Sequence, residues 1–268
     1  MSTMKNLSVC LVVVCFTAAA SSPVLAELVD NGRFEDITAG TFDSWSYTPA
    51  TTGGQVAVPS LTPTVIEGTS SAMMLHGSTA GGRLWQQVSP TDLSNFRWEL
   101  DFAILPFSSG SRSLSILTFW QPDVLSSTHN VDSVRVNAQN HIEFYNSSTP
   151  WVDTGLIANT TVDINNDQAF DDGETPVVNH LEFLGLGYGT PNQSLTITLN
   201  GNTYPSSGTT SGTVNNHAVK YFAFAGDICA ADFLVDNVSF TAVPEPTSMV
   251  LLAGGLLGLL ACAWRKRK

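Results

Sequence analysis

The stretch Phe96-Arg-Trp-Glu-Leu-Asp-Phe102 places Phe96, Trp98, Leu100 and Phe102 in strict alternation with Arg97, Glu99 and Asp101. Only an extended strand with one buried and one wet face satisfies a period of two; a helix would scatter the rings around its circumference. The alternation recurs in Val134-Arg-Val136, Ile142-Glu-Phe144, Leu195-Thr-Ile-Thr-Leu199 and Phe222-Ala-Phe224, with turn signals at Gly53-Gly54, Gly81-Gly82 and Asn200-Gly201. Between Glu27 and Ala242 there is no long amphipathic helix, no internal repeat and no Pro-rich or charged linker. Many short strands with nothing helical between them predict one all-β domain over 27–242, an antiparallel β-sandwich or jelly roll.

Charge narrows the partners. All 23 acidic residues fall between Glu27 and Glu245, against six basic ones in that stretch, a formal charge of −17. Such a surface repels a phosphate backbone, so nucleic-acid binding is excluded, whereas divalent cations and neutral polymers remain compatible. Cys229 and Cys262 are the only cysteines outside the N-terminal apolar run, so no disulfide framework is available. Cys229, between Ile228 and Ala230, reads as a small buried hydrophobe.

The two ends read as targeting segments. Lys5 precedes an apolar run from Leu7 to Ala20, and Val24-Leu25-Ala26 offers small residues where a signal peptidase cuts, so residues 1–26 are expected to be a signal peptide and Glu27 the mature N-terminus. Cys10 and Cys15 lack the small residue that precedes a lipoprotein cysteine. At the other end, the uncharged segment 248–264 is followed by Arg265-Lys-Arg-Lys268. As a transmembrane helix it would measure roughly 25 Å against a hydrocarbon core of about 30 Å, a shortfall that Trp264 and the basic cluster offset by snorkelling. The closing positive charges place the C-terminus in the cytoplasm and the domain outside.

Val243-Pro-Glu-Pro246, the Gly-rich apolar segment with Gly254, Gly255 and Gly258, and the Arg-Lys close together resemble the PEP-CTERM sorting signal over 243–268. The resemblance implies processing by an exosortase, a membrane-embedded cysteine protease-transferase of exopolysaccharide-producing Gram-negative bacteria. Pro244, Glu245 and Pro246 would be the recognised residues. Two prolines stop a helix from continuing through the motif and hold Glu245 extended. The expected course is inner-membrane anchoring during sorting, then release to the cell surface or extracellular matrix.

Leu28-Val-Asp-Asn-Gly-Arg-Phe-Glu35 with Trp45, Gly68-Thr-Ser-Ser-Ala72 leading to Gln86-Gln87-Val88, and Phe233-Leu-Val-Asp-Asn-Val-Ser-Phe240 resemble carbohydrate-binding or galactose-binding-like jelly rolls. The middle of the domain, with Ile142-Glu-Phe-Tyr145 and Trp151, is equally similar to laminin-G or concanavalin-like sandwiches. Both resemblances imply glycan binding. A purely structural surface protein with no small ligand is the alternative.

Catalysis has thinner support. Glu99-Leu-Asp101 resembles part of the Glu-x-Asp-x-Glu signature of concanavalin-like glycoside hydrolases, but Ala103 and Ile104 stand where a further Glu is required. Retaining hydrolysis needs two carboxyls about 5 Å apart, and a solvent-facing acidic pair explains Glu99 and Asp101 as well. His76, His129, His141, His180 and His217 show no metal-ligand spacing. The chain is therefore expected not to be an enzyme. Trp120, Tyr145, Trp151 and Tyr188 lie near turn-rich stretches where rings can stack on sugars, whereas Trp45, Trp85 and Trp98 are assigned to packing.

Calcium is the expected cofactor. Asp163, Asn165, Asp167, Asp171 and Glu174 occupy positions 1, 3, 5, 9 and 12 of a loop with EF-hand spacing, and Ala169 can add its carbonyl. Gln168 replaces the Gly of the sharp bend, and no helices flank the loop, so it resembles the helix-free dockerin or thrombospondin type. A second site is expected at Glu35 and Asp236, which in modules of the resembled kind share a structural calcium.

Overall fold

The computed structural model describes residues 27–38, 41–48, 56–61, 65–74, 83–88, 93–106, 114–119, 130–146, 149–165, 170, 174–190, 193–205, 217–226 and 233–244. Among these residues every regular element is a strand. In chain order they are β1 Ile37–Thr38, β2 Thr41–Phe42, β3 Ser46–Thr48, β4 Val56–Leu61, β5 Ser70–Met74, β6 Arg83–Gln87, β7 Phe96–Ile104 and β8 Leu114–Phe119. Then come β9 Asn130–Val136, β10 His141–Asn146, β11 Thr149–Ile157, β12 Val178–Leu186, β13 Ser194–Leu199, β14 Asn202–Pro205, β15 Tyr221–Gly226 and β16 Phe233–Ala242.

Apart from the β1–β2 ribbon, the strands form two seven-stranded antiparallel sheets. Sheet one runs β11-β10-β9-β8-β15-β6-β3 and sheet two β14-β13-β12-β7-β16-β5-β4. The alternation read from Phe96 to Phe102 is the cause of the arrangement: each of its apolar residues is buried, and the intervening charges lie half-exposed on the outer face of β7. The same holds for Leu181 and Phe183 on β12 and for Leu195, Ile197 and Leu199 on β13. Inward rings of both sheets make one core, with Phe183 stacked against Phe96 at 5.8 Å and against Trp98 at 5.1 Å, and Phe222 reaching across to Phe240 at 5.6 Å. The turns at Gly53-Gly54 and Gly81-Gly82 lie outside the described residues. That at Asn200-Gly201 is a two-residue hairpin between paired Leu199 and Asn202, both turn residues having positive φ (50° and 80°) as a type I′ turn requires.

Strand β16 shapes the surroundings of two carboxylates. A bulge between Asp236 and Ser239, with Asn237 at φ 50°, turns the Asp236 and Asn237 side chains toward the segment before β5. Near the other end of the strand, Glu27 bridges Thr241, its carboxylate accepting from the backbone N–H of Leu28, Val29 and Phe240 (3.1, 3.1 and 2.7 Å) and the Ser239 hydroxyl (2.5 Å). Beyond β16, Val243 still donates its N–H to the Asn95 carbonyl at 3.0 Å, and Pro244 is exposed.

Candidate functional site

The outer face of sheet one carries an aromatic and polar cluster built by the β9–β10–β11 meander. Glu143 sits beside Arg135 on one side and Asp153 on the other in the strand register. Its carboxylate accepts from Arg135 Nε at 2.6 Å and Asn137 Nδ2 at 2.7 Å. So held, the Arg135 guanidinium lies 3.9 Å above the Trp151 ring centroid, a cation–π contact, and Tyr145 meets Trp151 edge-on at 5.7 Å while remaining 44% exposed. Nearby, His141 Nδ1 and Asp153 Oδ2 are 2.7 Å apart; the Asp153 carboxyl is held below its ordinary pKa first by the Gly155 N–H and then by His141. On the same sheet, Trp85 and Tyr221 meet at 5.9 Å over Leu117 and Ala223, and the Trp85 indole donates to Thr48 Oγ1 at 2.8 Å.

Sheet two presents an ionic network instead. Glu99 and Glu182 are directly opposite across β7 and β12, a pairing of like charges that would destabilise the sheet unless neutralised. Arg97 does this, one guanidinium nitrogen lying 2.9 Å from each carboxylate. His180 Nδ1 is 2.7 Å from Asp101 Oδ1, and Asp101 Oδ2 accepts from Asn237 at 2.9 Å. Glu99, His180 and Glu182 bring their ligand atoms within 4.8 Å of one another, a group that could hold a metal ion, although Arg97 already supplies positive charge to both carboxylates.

This network runs into the Glu35–Asp236 region. Glu35 accepts from the Thr69 N–H at 2.9 Å and from the Thr69 hydroxyl, which holds its carboxyl below the ordinary pKa. Gly68 makes that approach possible: its φ is +70°, and a Cβ there would stand 1.9 Å from Glu35 Oε1. Asp236 accepts from the Ser71 hydroxyl at 2.7 Å and from the Glu67 N–H at 3.3 Å. Burial pushes the Asp236 carboxyl up to about 6, and the neighbouring charge of Glu35 pushes the same way. Asn237 Nδ2 completes the cluster with a bond to Glu67 Oε2 at 3.0 Å. Four carboxylates, Glu35, Glu67, Asp101 and Asp236, thus lie around one bulge, Glu67 and Asp101 joined through the Asn237 amide and Asp236 bonded to the Glu67 N–H.

The residues chosen from sequence do not all meet. Tyr145 and Trp151 come together on one face. Tyr188 does not join them, and its assignment to a ligand face is corrected: it is 2% exposed, packed edge-on against Phe96 at 4.9 Å, with its hydroxyl donating to Asp132 Oδ2 at 3.1 Å. Trp120 lies outside the described residues. Trp45 and Trp98 are buried as expected, whereas Trp85 packs on the outer face of sheet one, not in the main core. In the 163–174 loop, Glu174 is buried and folds back to accept the Ile164 N–H at 2.8 Å, bringing the loop's two ends together. Asp163 and Asn165 are described with it; Asp167, Ala169 and Asp171 lie outside the described residues, as do Glu245 and Pro246. Arg135, Asn137, Glu143, His180 and Glu182 were missed. The hairpin alternation between β9 and β10 could have found the first three, but the last two depend on long-range strand pairing.

The fold and these faces define a two-sheet, all-β sandwich domain. The chain carries a PEP-CTERM protein-sorting motif at its C-terminus, matched over residues 242–268. No curated protein matches the sequence. Among solved structures the chain is similar to an endo-β-1,4-glucuronan lyase from the fungus Trichoderma reesei (TM-score 0.50, 12% identity, 76% of this chain and 93% of that one). Similarity also extends to the Emp46p carbohydrate recognition domain in its potassium-bound form (TM-score 0.47, 11% identity, 82% and 97% covered). A third is the cellulose-induced protein Cip1 (TM-score 0.47, 11% identity, 75% and 92% covered). The glucuronan lyase match supports the two-sheet fold. Among the described residues no helix is long and apolar enough to cross a membrane; the segment 248–264 lies outside them.

Proposed function

We propose that this chain is an exported surface protein, sorted by an exosortase at Pro244–Pro246, whose sandwich binds a glycan, foremost an exopolysaccharide of the matrix, on the outer face of sheet one. The observation that carries the reading is the Tyr145–Trp151 pair with Arg135 fixed over it by Glu143. Exposed rings offer a surface for the apolar faces of sugars, and Glu143, Asn137 and Asp153 surround them with acceptors and donors for hydroxyls. Binding without turnover is the favoured form, because the carboxylates that a hydrolase would need, Glu99 and Asp101, are engaged by Arg97, His180 and Asn237. Affinity electrophoresis of residues 27–244 in neutral and acidic polysaccharides tests this. Retarded migration lost in Tyr145→Ala and in Trp151→Ala, with unchanged melting temperature in Tyr145→Ala, is expected. Unretarded migration in every polysaccharide would instead favour a purely structural surface protein.

A calcium requirement is the second reading, favoured by the clustering of Glu35 and Asp236 around the β16 bulge and by the fold-back of Glu174 toward Asp163. Glu35, Asp236 and backbone carbonyls would hold one ion, and Asp163, Asn165, Asp167, Ala169, Asp171 and Glu174 another. Each would act structurally, binding the folded state and raising stability by mass action. Melting in calcium against chelator, repeated for Glu35→Gln and for Asp163→Ala with Glu174→Ala, separates the two; equal curves in all conditions would remove both ions.

A further inference from the structure

The described chain begins and ends at one pole of the sandwich. Glu27, the first residue after the signal peptide, pairs with Thr241, and Leu28 donates to the Phe240 carbonyl at 2.7 Å. Three residues past Thr241 comes Pro244, and Val243 is still bonded to Asn95. The same pole holds Ser94, whose carbonyl accepts from Tyr188 at 2.8 Å, the turn Gly187–Thr190, and the Leu93–Val219 bridge, with Lys220 just before β15. The opposite pole holds the turn 137–140, bonded to Ala158, and Thr161, bonded to Ile104.

We infer that, while anchored, the sandwich stands end-on with this pole against the outer surface of the inner membrane; this rests on reading 248–264 as the anchor. The length of the tether decides it. Five residue steps separate Val243 from Ser248, at most about 17 Å of extended chain. Roughly 5–8 Å of that crosses the headgroup layer. The pole is therefore held within about 10 Å of the headgroups, too little room for another folded domain, whose diameter exceeds about 25 Å. Two independent tethers, the one preceding Glu27 and the one following Val243, lead from that end, so the orientation is the same before and after removal of the signal peptide. With β7 nine residues long, the far pole lies roughly 30 Å higher, and both sheet faces, including the Tyr145–Trp151 cluster, stand upright and open to the side.

The test uses the mature chain, residues 27–268, with Cys229 and Cys262 replaced by Ala, in phosphatidylethanolamine–phosphatidylglycerol vesicles carrying a headgroup nitroxide. A fluorophore is attached at Thr190→Cys on the near pole or at Gln139→Cys on the far pole, with Ser94→Cys and Asn202→Cys as second sites should either substitution impair folding. Loss of fluorescence at the near-pole sites and none at the far-pole sites is expected, and a Gly/Ser spacer of about 20 residues after Val243 should relieve the quenching. Equal quenching at both poles, or more at the far one, in chain that co-floats with the vesicles overturns the orientation and leaves the anchor standing. Failure to co-float removes the anchor reading and the orientation with it.

Discussion

Asp132 is a carboxyl inside the sandwich, and substituting it tests how the core tolerates charge. It is buried and receives the Tyr188 hydroxyl at 3.1 Å and the Ser133 N–H at 2.8 Å, neither of them a cation. Burial pushes its pKa from the ordinary 3.8 up to about 7, against the opposing effect of those two hydrogen bonds. Because the folded-state pKa is the higher one, the native state binds the proton more tightly than the unfolded chain. The stabilisation is fully present below the unfolded pKa near 4, declines as pH rises, and is gone above about 7. A gap of about three units corresponds to roughly 4 kcal/mol between pH 4 and pH 8, or a melting-temperature change on the order of 10 °C in a domain of this size. Asp132→Asn keeps an acceptor for Tyr188 and cannot ionise. Urea unfolding of wild type and variant from pH 4 to pH 8 should show the wild type losing about 4 kcal/mol more than the variant over that range. The difference between the two slopes cancels the other titrating groups and any constant cost of the new amide. Parallel profiles, within about 1 kcal/mol across the range, would refute a buried, protonated Asp132.

Other outcomes follow from the packing and the tail. Phe183→Ala removes the ring stacked between Phe96 and Trp98 and should cost about 3–5 kcal/mol in chemical denaturation. Gly201→Ala places a Cβ in open space but at φ +80°, so the loss should be only about 1 kcal/mol, and a larger one would mean that the Asn200-Gly201 turn is built differently. Replacing Pro244, Glu245 and Pro246 by Ala in a host with an exosortase should leave residues 248–268 on the protein, as read by mass spectrometry of the membrane fraction. Intact tails on exported wild-type protein would count against sorting at this motif.

What the sequence disclosed depended on range. Alternation along one strand and the Asn-Gly hairpin are local, and both gave the right structure at Phe96–Phe102 and Asn200-Gly201. Pairing between distant strands left no local trace. His180 meets Asp101 across 79 positions, which is why five scattered histidines looked inert. Tyr188 looked exposed because Gly187 and Gly189 flank it, yet its hydroxyl finds Asp132 across 56 positions inside the core. Strand β6 inverts the usual logic: Gln86, not Trp85, faces inward, because its amide is satisfied by the carbonyls of Asp30 and Ser44 and the N–H of Asp30. The Glu35–Asp236 cluster was legible as a pair only through its resemblance to other modules; Glu67 and Asp101 join it through the β16 bulge.

Among the described residues β16 is the last strand, and it is flanked on both sides, by β7 and by β5. A chain emerging through a translocation channel N-terminus first cannot complete sheet two until residues 233–242 are outside, because β5 and β7 have no hydrogen bonds to each other without them. Contacts as distant as Glu27 to Thr241 close only then, and folding dominated by such long-range pairing is slow. The sandwich therefore has almost no interval in which to fold ahead of the tail. Its final strand ends two residues before Pro244, so on the export reading the sorting motif follows it out before this slow pairing is complete, and a chain stalled or truncated before Phe233 would present two unfinished sheet edges to its neighbours.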